Sequence, residues 1–197
     1  PLATEGIVSV RSDIGTHAIR IRRIHLEEDA GKSMHDRVPD GTVVDLNRTG
    51  VPLIEIVTEP DLRTPAQART FLQDLKRTLE YLDVSDCNME EGSLRVDANV
   101  SLRPEGTEVY GVKTEVKNLN SFSAVERSVV AEAKRQSGIL DADGKIVQET
   151  LLWDERDGTL RSMRSKEESH DYRYFPDPDL PPLRFDAERV RLLEAEL

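Results

Sequence analysis

Apolar and polar positions alternate strictly over residues 93–103. Leu94, Val96, Ala98, Val100 and Leu102 face one way, and Arg95, Asp97, Asn99, Ser101 and Arg103 face the other. That pattern predicts a strand with one packed and one polar side. Pro104-Glu105-Gly106-Thr107 supplies a turn, and residues 108–117 return as the antiparallel partner. There Tyr110, Val112, Thr114 and Val116 continue the apolar face, while Lys113, Glu115 and Lys117 continue the polar one.

A second alternating stretch covers residues 16–29. Ile19 and Ile21 alternate with Arg20 and Arg22, and after Arg23 the phase slips so that Ile24 and Leu26 alternate with His25 and Glu27. A one-residue slip predicts a bulge, which re-aims the side chains beyond it. His25, Glu27 and Asp29 would then share one face, read either as a solvated outer surface or as part of a site. Residues 31–41 are polar and turn-rich, and Lys32 there is free to reach a phosphate or water. Residues 42–46 form a short strand. Leu53-Ile54-Glu55-Ile56-Val57 then reads as a central, buried strand bracketed by Pro52 and Pro60. An ionised Glu55 in such a layer needs a basic partner, a metal or a cleft, unless it sits at a strand end and reaches water.

Thr64-Pro65-Ala66-Gln67 is a helix start with a cap, a first-turn proline and a capping-box glutamine. Phe71, Leu72, Leu75, Leu79 and Leu82 make its apolar stripe, which predicts a helix laid over a sheet. Ser121 or Ser123 caps a second helix expected to run to about Gln136, with Gly138 as its stop. Residues 145–153 and 159–164 predict a second hairpin turning near Asp157-Gly158. Residues 165–183 are polar, then aromatic and proline-rich, and predict irregular structure. Residues 1–13 show no clear period. The fold class expected is α+β, an antiparallel sheet cradle with helices on its outer face. The domains expected are residues 1–183 and the opening helix of another, residues 184–197.

Composition narrows the functional classes. A net charge of −11 over 197 residues argues against coating nucleic acid by charge alone, though not against a local basic patch. Cys87 is the only cysteine, which excludes an internal disulfide and a cysteine-based zinc site and fits a reducing cytoplasm. No apolar run is long enough to cross a membrane, and no P-loop or Gly-rich dinucleotide turn occurs. Pro1 without a methionine, and Leu197 inside a predicted helix, read as cut ends of a longer chain.

Glu27, Glu55 and Glu115 fall on three separate predicted strands, each able to lie on one shared sheet face. Crowded carboxylates repel, and a hard divalent cation relieves them. Arg95, Lys113 and Lys117 beside them would neutralise a polyphosphate. The residues alone therefore point to a metal- and nucleotide-dependent group transfer, set against a polar face that is merely solvated.

At these residues the chain resembles a known family. His25-Leu26-Glu27-Glu28-Asp29-Ala30-Gly31-Lys32, residues 45–61, Met89-Glu90-Glu91-Gly92-Ser93-Leu94-Arg95-Val96-Asp97-Ala98-Asn99, Glu115-Val116-Lys117-Asn118-Leu119-Asn120-Ser121 and Asp171-Tyr172-Arg173-Tyr174-Phe175-Pro176-Asp177-Pro178-Asp179 are similar to motifs of the GatB/GatE family, the B-type subunits of tRNA-dependent amidotransferases. The resemblance implies a fold like the glutamine synthetase catalytic domain. It implies an enzyme that uses ATP and magnesium to phosphorylate the carboxylate of mischarged Glu-tRNA(Gln) or Asp-tRNA(Asn). Ammonia from a partner amidase subunit (GatA), in a complex with a small subunit (GatC), would then displace phosphate. Carried over residue by residue, the metal ligands fall on Glu27, Glu55 and Glu115. Arg95, Lys117, Asn118, Asp97, Asn47 and Arg48 lie within matching motifs and are read as binding phosphate, nucleotide or the aminoacyl end, with Arg95, Lys117 and Asn118 as the catalytic candidates and individual roles unassigned. Lys113 joins the binding set from the polar strand face, and Arg164 and Lys166 are similar candidates in the second hairpin. The family's opening Gly-Leu-Glu-Val-His strand, whose Glu and His complete the metal site, is absent here. So are its cysteine-based zinc cluster and most of its tRNA-gripping helical domain. This chain is expected to be inactive alone. Two other readings remain, a non-catalytic scaffold that binds tRNA or the amidase, and a carboxylate–amine ligase acting on a free amino acid.

Overall fold

The computed structural model describes residues 1–12, 15–34, 41–163, 181–182 and 184–196. Two units divide the chain, residues 1–163 and 164–197. The boundary expected near Leu183 falls inside the second unit, of which one helix, Ala187–Glu196, is described. Among the described residues no helix is long and apolar enough to cross a membrane.

The first unit is α+β. Strands β1 (Ala3–Ser12), β2 (Gly15–Glu28) and β5 (Pro52–Thr58) form one antiparallel sheet in the order β1-β2-β5. Between them, β3 (Lys32–Met34) and β4 (Val43–Asp45) make a two-stranded ribbon. A second sheet has the order β6-β7-β8-β9, built from Ala98–Val100, Thr114–Lys117, Thr150–Asp154 and Thr159–Ser162. Helices α1 (Pro65–Tyr81) and α2 (Phe122–Asp141) pack on each other, and α1 also packs on β1. Both sheets and both helices share one core, with Val10, Ile19, Ile21, Phe71, Leu72, Val100, Val116, Val125 and Trp153 all buried.

The predicted slip in β2 is present, one residue earlier than expected. Arg22 is the extra residue, because Ile21 pairs with Thr58 and Arg23 with Val57. Beyond the bulge, Ile24 pairs with Ile56 and both pack toward the core, so Arg23, His25, Glu27 and Glu55 turn to the opposite side. Arg20 and Arg22 bind Asp61 and Glu59 at 2.7 and 2.8 Å, clamping the exit of β5.

Four expectations change. The segment read as a central strand, β5, is the edge of its sheet, and β2 is central. The segment without a readable period forms β1, because the pairing partner that orders it lies in β2. The second sheet is not wholly antiparallel: β7 and β8 run parallel, with α2 as the crossover between them. Finally, α2 runs through Gly138 to Asp141 and stops at Asp143, which takes a positive φ of 57°. Gly138 stays helical because a turn's worth of backbone bonds outweighs its propensity cost of about 1 kcal/mol. Caps fall where predicted: Thr64 Oγ1 accepts from Gln67 N, and Ser121 Oγ accepts from Ala124 N.

A buried polar cluster fixes the second sheet to α2. Glu132 is 0% exposed. Its Oε1 accepts from Thr114 Oγ1 at 2.7 Å and from Gln136 Nε2 at 2.8 Å, and Arg135 Nε reaches Oε2 at 2.7 Å. Gln136 also donates to Val100 O at 3.0 Å, while its Oε1 accepts from Leu102 N at 3.1 Å. One helical glutamine thus satisfies strand groups that leave the β6–β7 ladder. Burial pushes the Glu132 carboxyl up, but hydrogen bonds from Arg135, Thr114 and Gln136 outweigh it and hold it below the usual range.

Replacing Gln136 with Leu strands Leu102 N–H and Val100 C=O, and should cost about 2–4 kcal/mol in urea unfolding of the chain. The acid limb has a definite sign. Because the folded Glu132 carboxyl sits below its unfolded value, its stabilisation is present above about pH 4.3 and is lost as pH falls through the folded value. A Glu132→Gln chain should therefore lose stability at neutral pH and show a flatter decline below pH ~4 in thermal melts.

Candidate functional site

The predicted site residues lie in three groups. The first is on the polar face of β2 and β5. His25 sits directly opposite Glu55, and Glu27 sits opposite Leu53, so His25, Glu27 and Glu55 share that face. Arg23 Nη2 lies 3.3 Å from Glu55 Oε2, Arg23 Nε donates to His25 Nδ1 at 2.8 Å, and His25 Nδ1 is 3.8 Å from Glu55. Glu55 is 47% exposed. Of the readings open for it, a basic partner on a water-accessible face is the one the structure contains.

The second group is on the polar face of β6 and β7. Thr114 and Val116 point into the core, and Glu115 and Lys117 point away from it. Lys117 Nζ bridges Asp97 Oδ2 at 2.7 Å and Glu115 Oε1 at 3.4 Å. Thr150 Oγ1 donates to Glu115 Oε2 at 3.1 Å from the adjoining β8. Partial burial lowers the Lys117 pKa, but Asp97 and Glu115 outweigh it and hold the ammonium above its usual value. Lys117 is therefore a fixed positive charge at neutral pH. Lys113 precedes β7 and is exposed.

Between the two faces lies Asp29, just beyond the end of β2. Its carboxylate receives Arg48 Nε at 2.8 Å and Arg95 Nη2 at 3.2 Å. Arg95 is two residues before Asp97, and Asp29 is two residues after Glu27, so this ion pair ties one polar face to the other. Arg48 comes from the turn between β4 and β5, where Asn47 N donates to Asp45 Oδ1, and its Nη1 donates to Gly92 O at 2.7 Å. Burial pushes the Asp29 carboxyl up, yet the hydrogen bonds and charges of Arg48 and Arg95 hold it below the usual carboxylate range.

Glu115 belongs to a different sheet from Glu27 and Glu55, so the three carboxylates do not share one sheet face as expected. Among the described residues no three His, Cys, Asp or Glu side chains are grouped as a metal ion would require. Asn118 leaves β7 with φ of 67°, and its Nδ2 donates to Trp153 O at 2.9 Å, an engagement that holds the β7 exit to β8. Arg164 and Lys166 lie outside the described residues, as does the aromatic stretch at 171–179. Sequence reasoning gave Asp29 and His25 no role of their own and missed Arg23. A buried carboxylate whose partners are 19 and 66 residues away leaves no local pattern to read.

A model of the GatB/GatE catalytic domain matches residues 1–191. The chain is 57% identical over 197 residues to the aspartyl/glutamyl-tRNA(Asn/Gln) amidotransferase B subunit of Chlorobium luteolum, covering 100% of this chain and 41% of that protein. Against the protein of the same name from Moorella thermoacetica it is 54% identical over 199 residues, covering 100% of this chain and 42% of the relative. That of Caldicellulosiruptor saccharolyticus is 56% identical over 186 residues, covering 94% of this chain and 39% of the relative. The chain thus spans about two-fifths of the length of these curated relatives. With a family model that runs over residues 1–191, and polar residues of its motifs joined across two sheet faces by Asp29 and Arg95, this chain belongs to the GatB/GatE catalytic-domain family.

Proposed function

We propose that this chain is the carboxylate-activating part of a B-type amidotransferase subunit. In the whole subunit, ATP phosphorylates the side-chain carboxylate of mischarged Glu-tRNA(Gln) or Asp-tRNA(Asn). Ammonia from an amidase partner (GatA), in a complex with GatC, then converts the acyl phosphate to the amide. The observation that carries this reading is the Arg95–Asp29 ion pair at 3.2 Å. It joins a face bearing Glu27 and Glu55 to a face bearing Asp97, Glu115 and Lys117, within a chain of this family.

The chemistry needs two anions brought together. A carboxylate oxygen attacks the γ-phosphorus, the bond to ADP breaks, and ADP leaves. Ammonia then attacks the acyl carbon, a proton is lost, and inorganic phosphate leaves. Arg95, Arg48 and Lys117 supply fixed positive charge that screens the approach of carboxylate to phosphate. Asn47, Lys113, Arg164 and Lys166 complete the proposed substrate-contacting set. Asn118 acts by holding the end of β7, which carries Glu115 and Lys117.

The donor chemistry fits magnesium in part. That ion takes one or two carboxylates and keeps its waters, and Glu27 and Glu55 share a face. Glu115 would join them only through a change that releases it from Lys117. Magnesium, when bound, would neutralise charge on the phosphates.

In the full-length complex, Glu55→Ala should abolish ATP-dependent amidation while glutamine hydrolysis by the partner continues. Both activities are read in one assay by following amidated aminoacyl-tRNA and free glutamate. Survival of transamidation would remove Glu55 from the site. Lys117→Met should lower kcat/KM for transamidation by ~10-fold or more. Its melting point should move little, because a partly exposed ion pair contributes ~1 kcal/mol or less.

A further inference from the structure

We propose that Asp29 is a positioning residue for a two-arginine phosphate site, in which Arg48 and Arg95 together take a phosphate group of the substrate. The inference rests on the carboxylate-activating reading above and adds to it the anchor that holds both arginines as one site.

Four observations carry it. First, depth and exposure run in opposite directions: the Asp29 side chain is 10% exposed, while Arg48 is 43% and Arg95 56% exposed. The carboxylate lies beneath, and the guanidinium groups fan outward. Second, the charges do not balance. One carboxylate meets two guanidinium groups, and neither arginine has another ion pair among the described residues. A surplus positive charge therefore stands at the surface of a chain whose net charge is −11. Third, among the described residues most of the donors are unspent. Each guanidinium carries five N–H groups. Arg48 uses Nε on Asp29 and Nη1 on Gly92 O, and Arg95 uses Nη2 on Asp29. The rest suit the planar, forked recognition of phosphate oxygens. Fourth, the Arg48 head is held from behind. Gly92 takes φ of +80°, and a Cβ built there would lie 2.7 Å from Arg48 Nη1. A side chain at that point would push the guanidinium from its present seat.

Without the Asp29 charge, both arginines lose their common anchor, and their ordering must be supplied on binding. Phosphate groups are offered by ATP and by the tRNA backbone, so the test has an arm for each. The full-length subunit in its assembled complex is prepared as wild type, Asp29→Asn, Arg95→Gln and the double variant. Dissociation constants for ATP and for tRNA are measured by titration without turnover, alongside KM and kcat for amidation and a melting curve. Expected is a rise of ~10-fold or more in Kd and KM for one of the two ligands in each single variant, falling mainly on KM rather than kcat. The double variant should lie within ~2-fold of the weaker-binding single variant, since Asp29 acts through the arginines.

The ligand whose Kd rises names the source of the phosphate. Unchanged Kd for both ligands in Asp29→Asn, even with a lowered melting point, would overturn the proposal and leave Asp29 as a structural staple. Multiplying effects in the double variant would overturn it as well. If Asp29→Asn fails to assemble, Asp29→Glu, which keeps the charge but shifts the anchor of both guanidinium groups, decides in its place, and unchanged Kd for both ligands in it would overturn the proposal. Because the titrations need no turnover, a complex that binds with these differences but never amidates would refute the activity while sustaining the site.

Discussion

The second sheet faces the way it does because Glu132 is buried with its charge met. A carboxylate sealed from water is tolerated only when several donors converge on it. Here Thr114 from β7, and Gln136 and Arg135 from α2, supply them. Satisfying that one group sets the position of β7 on the helix. Strand alternation does the rest: with Thr114 and Val116 turned inward, Glu115 and Lys117 have no orientation left but outward. Gln136 adds backbone bonds to Val100 and Leu102, so the short β6–β7 ladder is extended by a helix side chain where strand pairing stops. The polar face is therefore specified from behind, by residues buried away from it.

The first sheet reaches the same end by another device. Its polar face is kept in phase along β2 by a bulge that absorbs one surplus residue, and the Glu55 charge is met laterally by Arg23. Neither sheet is a site by itself. What makes them a single surface is a long-range ion pair between the end of β2 and the extended segment leading into β6. That segment keeps its alternating burial from Arg95 to Val100 although regular pairing starts only at Ala98. Its order thus derives from side chains, Asp29 among them, as much as from backbone bonds.

Much of this was legible in the sequence, and the parts that were not share a cause. Alternation over 93–103 and 16–29 gave the faces, and the slip near Arg23 gave the bulge to within one residue. Caps at Thr64 and Ser121 were written in side chains that act within one turn. Local rules failed where a partner is distant. β1 carries no period of its own and is ordered by pairing to β2. The parallel pairing of β7 with β8 requires α2 to cross between them, which no hairpin signal could foretell. Glu55 was sensed as a carboxylate in need of company, but the apolar run around it suggested a central strand where the fold has an edge. The three-carboxylate constellation came from spacing and from family motifs, and the sheet topology divides it between two surfaces.

Arg22 carries a consequence of a different kind. It is the residue by which β2 outnumbers β5, and everything downstream counts from it. Taken out, the strand would read Ile21-Arg23-Ile24-His25-Leu26-Glu27, an unbroken alternation in which Ile24 and Leu26 still face inward and His25 and Glu27 outward. What would go is the local bend that a surplus residue gives a strand, and with it the clasp on Glu59. Descendants of this gene can therefore lose a codon at that one position and keep the oily side of the strand intact. A codon lost at His25, where nothing is in surplus, would turn the remaining side chains over.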